Sequence, residues 1–176
     1  MSKKIENEKG RVCPNLDASH RESGGLLKTV RTIADYQFGK GAGKALFSEN
    51  VEFIFSSKGG VRQILEGGAR IATLRAQDGF LTLGIGGGKR LHSFFRYPKR
   101  RVVVSDDAAP FVAQGKSAFA KYVEDCDKGV RAHEEVLLVD RKDRLLATGT
   151  AVLCSDEMKS FKRGVAVKVR ETLKLD

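Results

Sequence analysis

Two clusters of glycine and lysine are the first segments of this sequence whose residue types could do chemistry. Gly39-Lys40-Gly41-Ala42-Gly43-Lys44-Ala45 has the composition of a phosphate-binding loop, in which backbone N–H groups and a lysine cradle a nucleotide. The spacing is wrong for that use. Three residues, not four, precede the Gly-Lys pair, Ala45 stands where Ser or Thr would hold Mg²⁺, and the segment follows a helical pattern where a strand is needed. It reads as a flexible linker with two exposed lysines. Gly84-Ile85-Gly86-Gly87-Gly88-Lys89 lies at a strand-to-helix junction, where amide groups, the helix dipole and Lys89 could meet a phosphate. It lacks the GxGxxG spacing of dinucleotide sites, and a tight structural turn is the simpler reading.

Nucleophilic and metal chemistry find less support. His20, His92 and His133 sit alone in different segments, so no Ser or Cys has a local histidine and acid to activate it. Cys13, Cys126 and Cys154 form an odd, widely spaced set without a CxxC pair, which argues for reduced thiols and against a disulfide framework or a structural zinc site. Asp106-Asp107 is the one paired carboxylate at a strand end, and a helix cap facing the dipole explains it without acid-base work. These residues predict no active site, no metal and no cofactor.

What remains is charge. The chain has 176 residues, 32 Lys and Arg against 22 Asp and Glu, a net charge of +10 and a pI near 9.7. Clusters at Lys89-Arg90 with Arg96, Lys99-Arg100-Arg101, Lys116 with Lys121, Lys162-Arg163, and Lys168 with Arg170 spread that excess over both halves. Such a field attracts polyanions and releases counterions on binding, which is the sequence-independent part of nucleic-acid affinity. The length allows one or two small domains and excludes a TIM barrel of roughly 250 residues. Hydrophobic residues, at 41%, supply a packed core. No apolar run approaches the ~20 residues that cross a bilayer, and the charged N-terminus has no hydrophobic stretch behind it. A cytoplasmic protein without membrane contact is expected.

The elements follow from period and punctuation. Residues 1–25 are polar and aperiodic, and read as a flexible tail. Leu26, Leu27, Val30, Ile33 and Ala34 recur at helical spacing up to Gly39. Short β-branched or aromatic runs at 51–55, 61–65, 70–75 and 80–85, divided by glycine turns, predict an antiparallel meander, and a short helix over 89–95 closes this first unit. After Lys99-Arg100-Arg101 come a strand at 102–104, a helix capped by Ser105 or Asp106 through Gln114, strands at 117–123, 134–139 and 145–153, a helix from Ser155 through Lys162, and a last strand from Val165. Strands this closely spaced favour a small twisted barrel or pseudobarrel over a parallel sheet. The fold class expected is α+β: an antiparallel-sheet domain with helices over 26–98, then a β pseudobarrel over 99–174.

The second half resembles a PUA domain, the RNA-binding module named for pseudouridine synthases and archaeosine transglycosylases. The resemblance is carried by Asp107-Ala108-Ala109-Pro110-Phe111-Val112-Ala113-Gln114-Gly115, Ser117-Ala118-Phe119-Ala120-Lys121-Tyr122-Val123, Glu134-Glu135-Val136-Leu137-Leu138-Val139, Leu145-Leu146-Ala147-Thr148-Gly149-Thr150-Ala151, and Ser155-Asp156-Glu157-Met158 through Arg170. Upstream, the stretch from Ile33 to Phe47, with Ala72-Thr73-Leu74-Arg75-Ala76-Gln77-Asp78-Gly79, is similar to the domain that precedes PUA in archaeosine tRNA-guanine transglycosylase. That family's catalytic barrel would not fit in this length, so the resemblance implies RNA handling and no transferase chemistry. It places RNA contacts at Gly115, Lys116, Ser117, Phe119, Lys121, Arg163, Lys168 and Arg170. The basic cluster Lys99, Arg100 and Arg101 extends them towards the first domain.

Residue chemistry agrees in part. Gly115 permits close backbone approach, and Lys116 and Lys121 can neutralise phosphates. Phe119 and Tyr122 could stack on a base, although strand aromatics usually belong to the core. Lys168 and Arg170 alternate outward from a valine face. The partner expected is RNA, tRNA in particular, with a separately encoded catalytic transglycosylase subunit as a possible second partner. The alternative is a free-standing RNA-binding factor in translation or ribosome assembly.

Overall fold

The computed structural model describes residues 16–173, with side chains from residue 24 onward. Most of the segment expected to be a flexible tail, together with Cys13, lies outside the described residues. The first helix, α1 (Leu16–Phe38), begins well before the expected Leu26, so residues 16–25 are helical. Its buried stripe is Leu27, Val30, Ala34 and Phe38. The expected linker forms a second short helix, α2 (Ala42–Leu46). Glycine serves close packing there: a Cβ on Gly43 would lie 2.3 Å from the Arg31 carbonyl oxygen, and the Gly43 N–H donates to Asp35 Oδ1 at 2.7 Å. An amide already bound to a carboxylate cannot cradle a phosphate, and the phosphate-loop reading falls on geometry as well as spacing.

The meander is present as β1 (Glu52–Phe55), β2 (Val61–Glu66), β3 (Ala69–Leu74) and β4 (Leu81–Leu83), antiparallel and in sequential order. Register puts Phe53, Ile64, Ala72 and Leu83 side by side on the core face. The next helix, α3 (Ile85–Phe94), starts inside the glycine cluster, not at Lys89. The reason is steric: a Cβ on Gly87 would sit 2.3 Å from the Ile71 carbonyl oxygen, so only a bare backbone lets the first turn press onto β3.

The second half contains β5 (Arg101–Val104), α4 (Ala109–Ala113), β6 (Ala118–Phe119), β7 (Val123–Cys126), β8 (Glu135–Val139), β9 (Leu145–Ala151), α5 (Ser155–Ser160) and β10 (Val165–Thr172). The six-stranded sheet runs β6-β10-β9-β8-β5-β7, with β5 and β8 parallel and the other neighbours antiparallel. The single strand expected over 117–123 is broken by a 3-10 turn at Ala120–Tyr122. That turn closes the sheet: β6 and β7 are its two terminal strands, and with only this turn between them the sheet must curl into a nearly closed pseudobarrel.

Two expected caps differ. Asp106 and Asp107 do not cap α4, whose N-cap is Ala108; Asp106 instead pairs with Arg141, which also holds Glu124. Helix α5 is capped one residue earlier than expected, by Cys154, whose N–H donates to Glu157 at 2.9 Å. The two halves share one hydrophobic core, because Val103, Leu137, Val139 and Leu145 of the pseudobarrel pack with Leu27, Phe38, Leu83 and Leu91 of the first domain. A second cluster, around Val104, Val112, Leu138 and Met158, belongs to the pseudobarrel alone.

Candidate nucleic-acid interface

Of the two domain faces, the join between them is the more informative, because polar side chains fix it. Strand β4 ends the first sheet, and the main chain of Leu83 would be left unpaired at that edge. The pseudobarrel satisfies both its groups: Leu83 N–H donates to Glu135 Oε2 at 3.0 Å, and Thr148 Oγ1 donates to the Leu83 carbonyl at 3.2 Å. The amide of Ile85, at the start of α3, donates to Glu171 Oε2 at 2.8 Å, and Arg70 pairs with the same oxygen. The helix N-terminus at the glycine junction therefore already holds an anion, which is a side chain and not a phosphate.

The basic triplet at the junction divides. Arg101 is buried, with Nε to Asp143 Oδ1 at 3.1 Å and the remaining nitrogens to the carbonyls of Lys99 and His92. Arg100 donates to the Gln37 carbonyl at 2.8 Å, pairs with Glu134 at 2.9 Å and covers the Phe38 ring. Both guanidiniums serve the join and are not free for a polyanion, contrary to the sequence expectation. The physical reason is that Arg101 opens β5, which lies inside the sheet between β8 and β7, and carbonyls and carboxylates of both domains surround the two guanidiniums there. Lys99 is exposed, with its ammonium 4.9 Å from the Phe95 ring centre. From the other clusters, Arg90 is bound to Glu66 and to the Leu46 carbonyl.

The remaining expected positions gather on and around the closing strands. Gly115 takes φ +91°, a left-handed conformation that favours glycine, and turns the chain from α4 into β6. It faces a cleft of about 490 Å³ between the domains, lined also by Ile85, Lys89, Arg170 and Thr172. Lys116 and half-buried Ser117 lead into β6, where Ala118 pairs with Val167, the neighbour of Lys168. Phe119 is 46% exposed, so the core reading of this aromatic fails; it alternates outward between buried Ala118 and Ala120, while Tyr122, at the end of the 3-10 turn, packs on the core. Phe111 and Phe161 are exposed as well. Among the described residues, Lys89, Lys116, Lys121, Arg163 and Lys168 are exposed and have no ion-pair partner. The sequence reading left Lys89 out of its site, although its place in the glycine cluster signalled it.

Arg170 spans the two roles. It is partly exposed, donates to Thr150 Oγ1 at 2.8 Å and lies 3.4 Å from Glu135 Oε1. Glu135 is 2% exposed, and burial pushes its carboxyl above the usual carboxylate range against the bonds from Leu83, Thr150 and Arg170. A raised folded-state value means that the folded chain holds the proton more tightly than the unfolded one. Stability is therefore fully present below the ordinary glutamate range and falls as pH rises through the elevated folded value. Glu135→Gln keeps an acceptor for Leu83 and cannot ionise, so the variant is expected to lose less stability than the parent over that interval. Thermal unfolding of both proteins across the acid-to-neutral range measures the difference.

Comparison with known proteins agrees with this division. Residues 28–98 match the family model of the patch-forming domain C2 of tRNA-guanine transglycosylase, and residues 100–173 match that of the PUA domain. The tRNA-guanine(15) transglycosylase of Thermococcus kodakarensis is 51% identical over 150 residues, which are 85% of this chain and 26% of that protein. That of Methanobrevibacter smithii is 50% identical over 149 residues, 84% of this chain and 23% of that protein. The chain thus spans about a quarter of the length of these relatives. In fold it is similar to a hypothetical protein of Pyrococcus horikoshii, with a TM-score of 0.66 at 24% identity over 84% of this chain and 90% of that one. It is also similar to a conserved PUA domain protein of Thermoplasma acidophilum, with a TM-score of 0.59 at 18% identity over 88% and 92% of the two chains. The chain thus carries a C2 domain of the tRNA-guanine transglycosylase kind followed by a PUA domain, and the two together are similar to the C-terminal region of archaeal tRNA-guanine(15) transglycosylases.

Proposed function

We propose that this chain is a non-catalytic RNA-binding protein of the cytoplasm that grips tRNA, as an accessory subunit for a tRNA-guanine transglycosylase-type modification enzyme. The observation that carries the reading is the set of exposed cations without an ion-pair partner among the described residues: Lys89 of the first domain, at the interdomain cleft, and Lys116 and Lys168 on either side of the β6–β10 pairing, with Arg170, already bound to Glu135 and Thr150, lining the same cleft as Lys89. Their free ammonium groups can displace counterions from a phosphate backbone, and exposed Phe119 offers an apolar face for a base or ribose. The relatives that share half of its residues are named for tRNA modification, which favours tRNA over other polyanions. Among the described residues no helix is long and apolar enough to cross a membrane.

A mobility-shift titration of the full chain with tRNA tests the reading. A shift at low salt that weakens steeply as salt rises is expected; no shift at low salt would refute it. The second reading is a free-standing factor in translation or ribosome assembly. It is favoured by the similar fold in Pyrococcus and Thermoplasma, where this chain covers 90% and 92% of the whole solved chain. Capture from native extract separates the two, since a catalytic barrel protein supports the first and ribosomal particles the second.

A further inference from the structure

Two aromatic rings on the first domain are held outside the core with no structural task. Tyr36 lies off the buried stripe of α1 and is 80% exposed, and Phe80, just before β4, is 36% exposed. Their rings are nearly parallel, at 9°, with centroids 6.3 Å apart, and the Arg75 guanidinium lies 5.9 Å from the Phe80 centroid. We infer that Tyr36, Phe80 and Arg75 form a stacking platform that receives an unpaired base of the bound RNA. The inference rests on the RNA-binding reading above.

The backbone under both rings is fixed in advance. Gln37 donates to the Leu81 carbonyl and accepts from the Leu81 N–H, each at 2.8 Å, which ties the residue after Tyr36 to the residue after Phe80. Phe80 N–H donates to Asp78 Oδ1 at 3.0 Å, Arg75 N–H donates to the Phe80 carbonyl at 2.9 Å, and Arg75 pairs with Asp78 at 2.8 Å. Rings held this way stack with little further loss of conformational freedom. A ring face beside a guanidinium suits a nucleobase, whose π-face stacks on either group. Bases inside a duplex have both faces covered, so an unpaired one is required. The platform also adjoins the second domain through geometry: Leu83, three residues after Phe80, donates to Glu135 at 3.0 Å, and Glu135 meets Arg170.

The test compares the full chain with Tyr36→Ser, Tyr36→Phe and Phe80→Leu, each binding tRNA and a fully paired RNA duplex at one salt concentration. Tyr36→Ser and Phe80→Leu are expected to weaken tRNA binding about five- to hundredfold, the range that loss of one stacked base produces. Tyr36→Phe should bind as the parent does, and duplex binding and the salt slope should not change. Full tRNA affinity in both Tyr36→Ser and Phe80→Leu would overturn the platform while leaving the RNA reading intact. So would an equal loss on the duplex, and so would intact tRNA binding with loss of self-association or of a co-purifying protein, which would assign the rings to a protein contact. A parent chain that binds no tRNA would overturn both.

Discussion

Lys116→Glu combined with Lys168→Glu is expected to abolish tRNA binding at physiological salt while the protein stays folded. Both side chains are exposed and free of ion pairs among the described residues, and they flank the pairing of β6 with β10. Each substitution removes a phosphate contact and adds a repulsive charge at the same place. Loss of one contact lowers the salt slope by about 1, so the pair should lower it by about 2, with an affinity drop on the order of a hundredfold or more from the repulsion added to it. Exposed charge changes usually move stability by less than ~0.5 kcal/mol each. Fluorescence anisotropy with labelled tRNA, beside thermal unfolding, measures both quantities. Parent-like affinity would displace the site from the Gly115 turn.

Arg101→Leu should do the reverse. Arg101 is among the largest side chains that the fold buries completely, and its loss strands the His92 and Lys99 carbonyls and one edge of Asp143. Asp143 keeps 33% of its side chain exposed, so the cost comes mainly from the two carbonyls left without their donor, about 1–3 kcal/mol each. A loss of about 3 kcal/mol lowers the melting temperature of a chain this size by roughly 6–12 °C. Below that temperature the salt slope of RNA binding should equal the parent's, since no phosphate contact has been removed. A lower slope with unchanged melting would mean that Arg101 reaches the ligand after all.

The contrast between Lys168 and Arg101 marks how far the sequence could be read. Alternation alone puts Lys168 outside a valine face, and in β10 it is exposed. A basic triplet looks alike whether it faces solvent or a neighbouring domain, because the partners of Arg100 and Arg101, at Gln37, Glu134 and Asp143, are distant in sequence. The meander was legible because glycine turns separate strands of regular period, and the expected strand runs match the observed β1–β4 to within one or two residues. Helix α2 was not, since its glycines signal a loop until the close approach to Arg31 is known. For Phe119 and Tyr122 the general preference of strand aromatics for the core left the face open: Phe119 alternates outward between buried Ala118 and Ala120, and the 3-10 turn after it, which nothing in Ala120-Lys121-Tyr122 announces, turns Tyr122 onto the core. Tyr36 had a signal that went unused, as an aromatic residue off the apolar stripe of its own helix.

The shared core bears on how the central claim is tested. Val103, Leu137, Val139 and Leu145 would be exposed if the PUA half were cut away, so comparing that fragment with the whole chain would confound folding with binding. A single substitution in the intact protein avoids this. Lys89 belongs to the first domain, faces the interdomain cleft and has no ion-pair partner among the described residues. The most direct measurement is the slope of log affinity for tRNA against log salt concentration, for the parent and for Lys89→Gln. One surface spanning both domains predicts a slope shallower by about 1 in the variant. Equal slopes would contradict it and confine the RNA to the PUA domain.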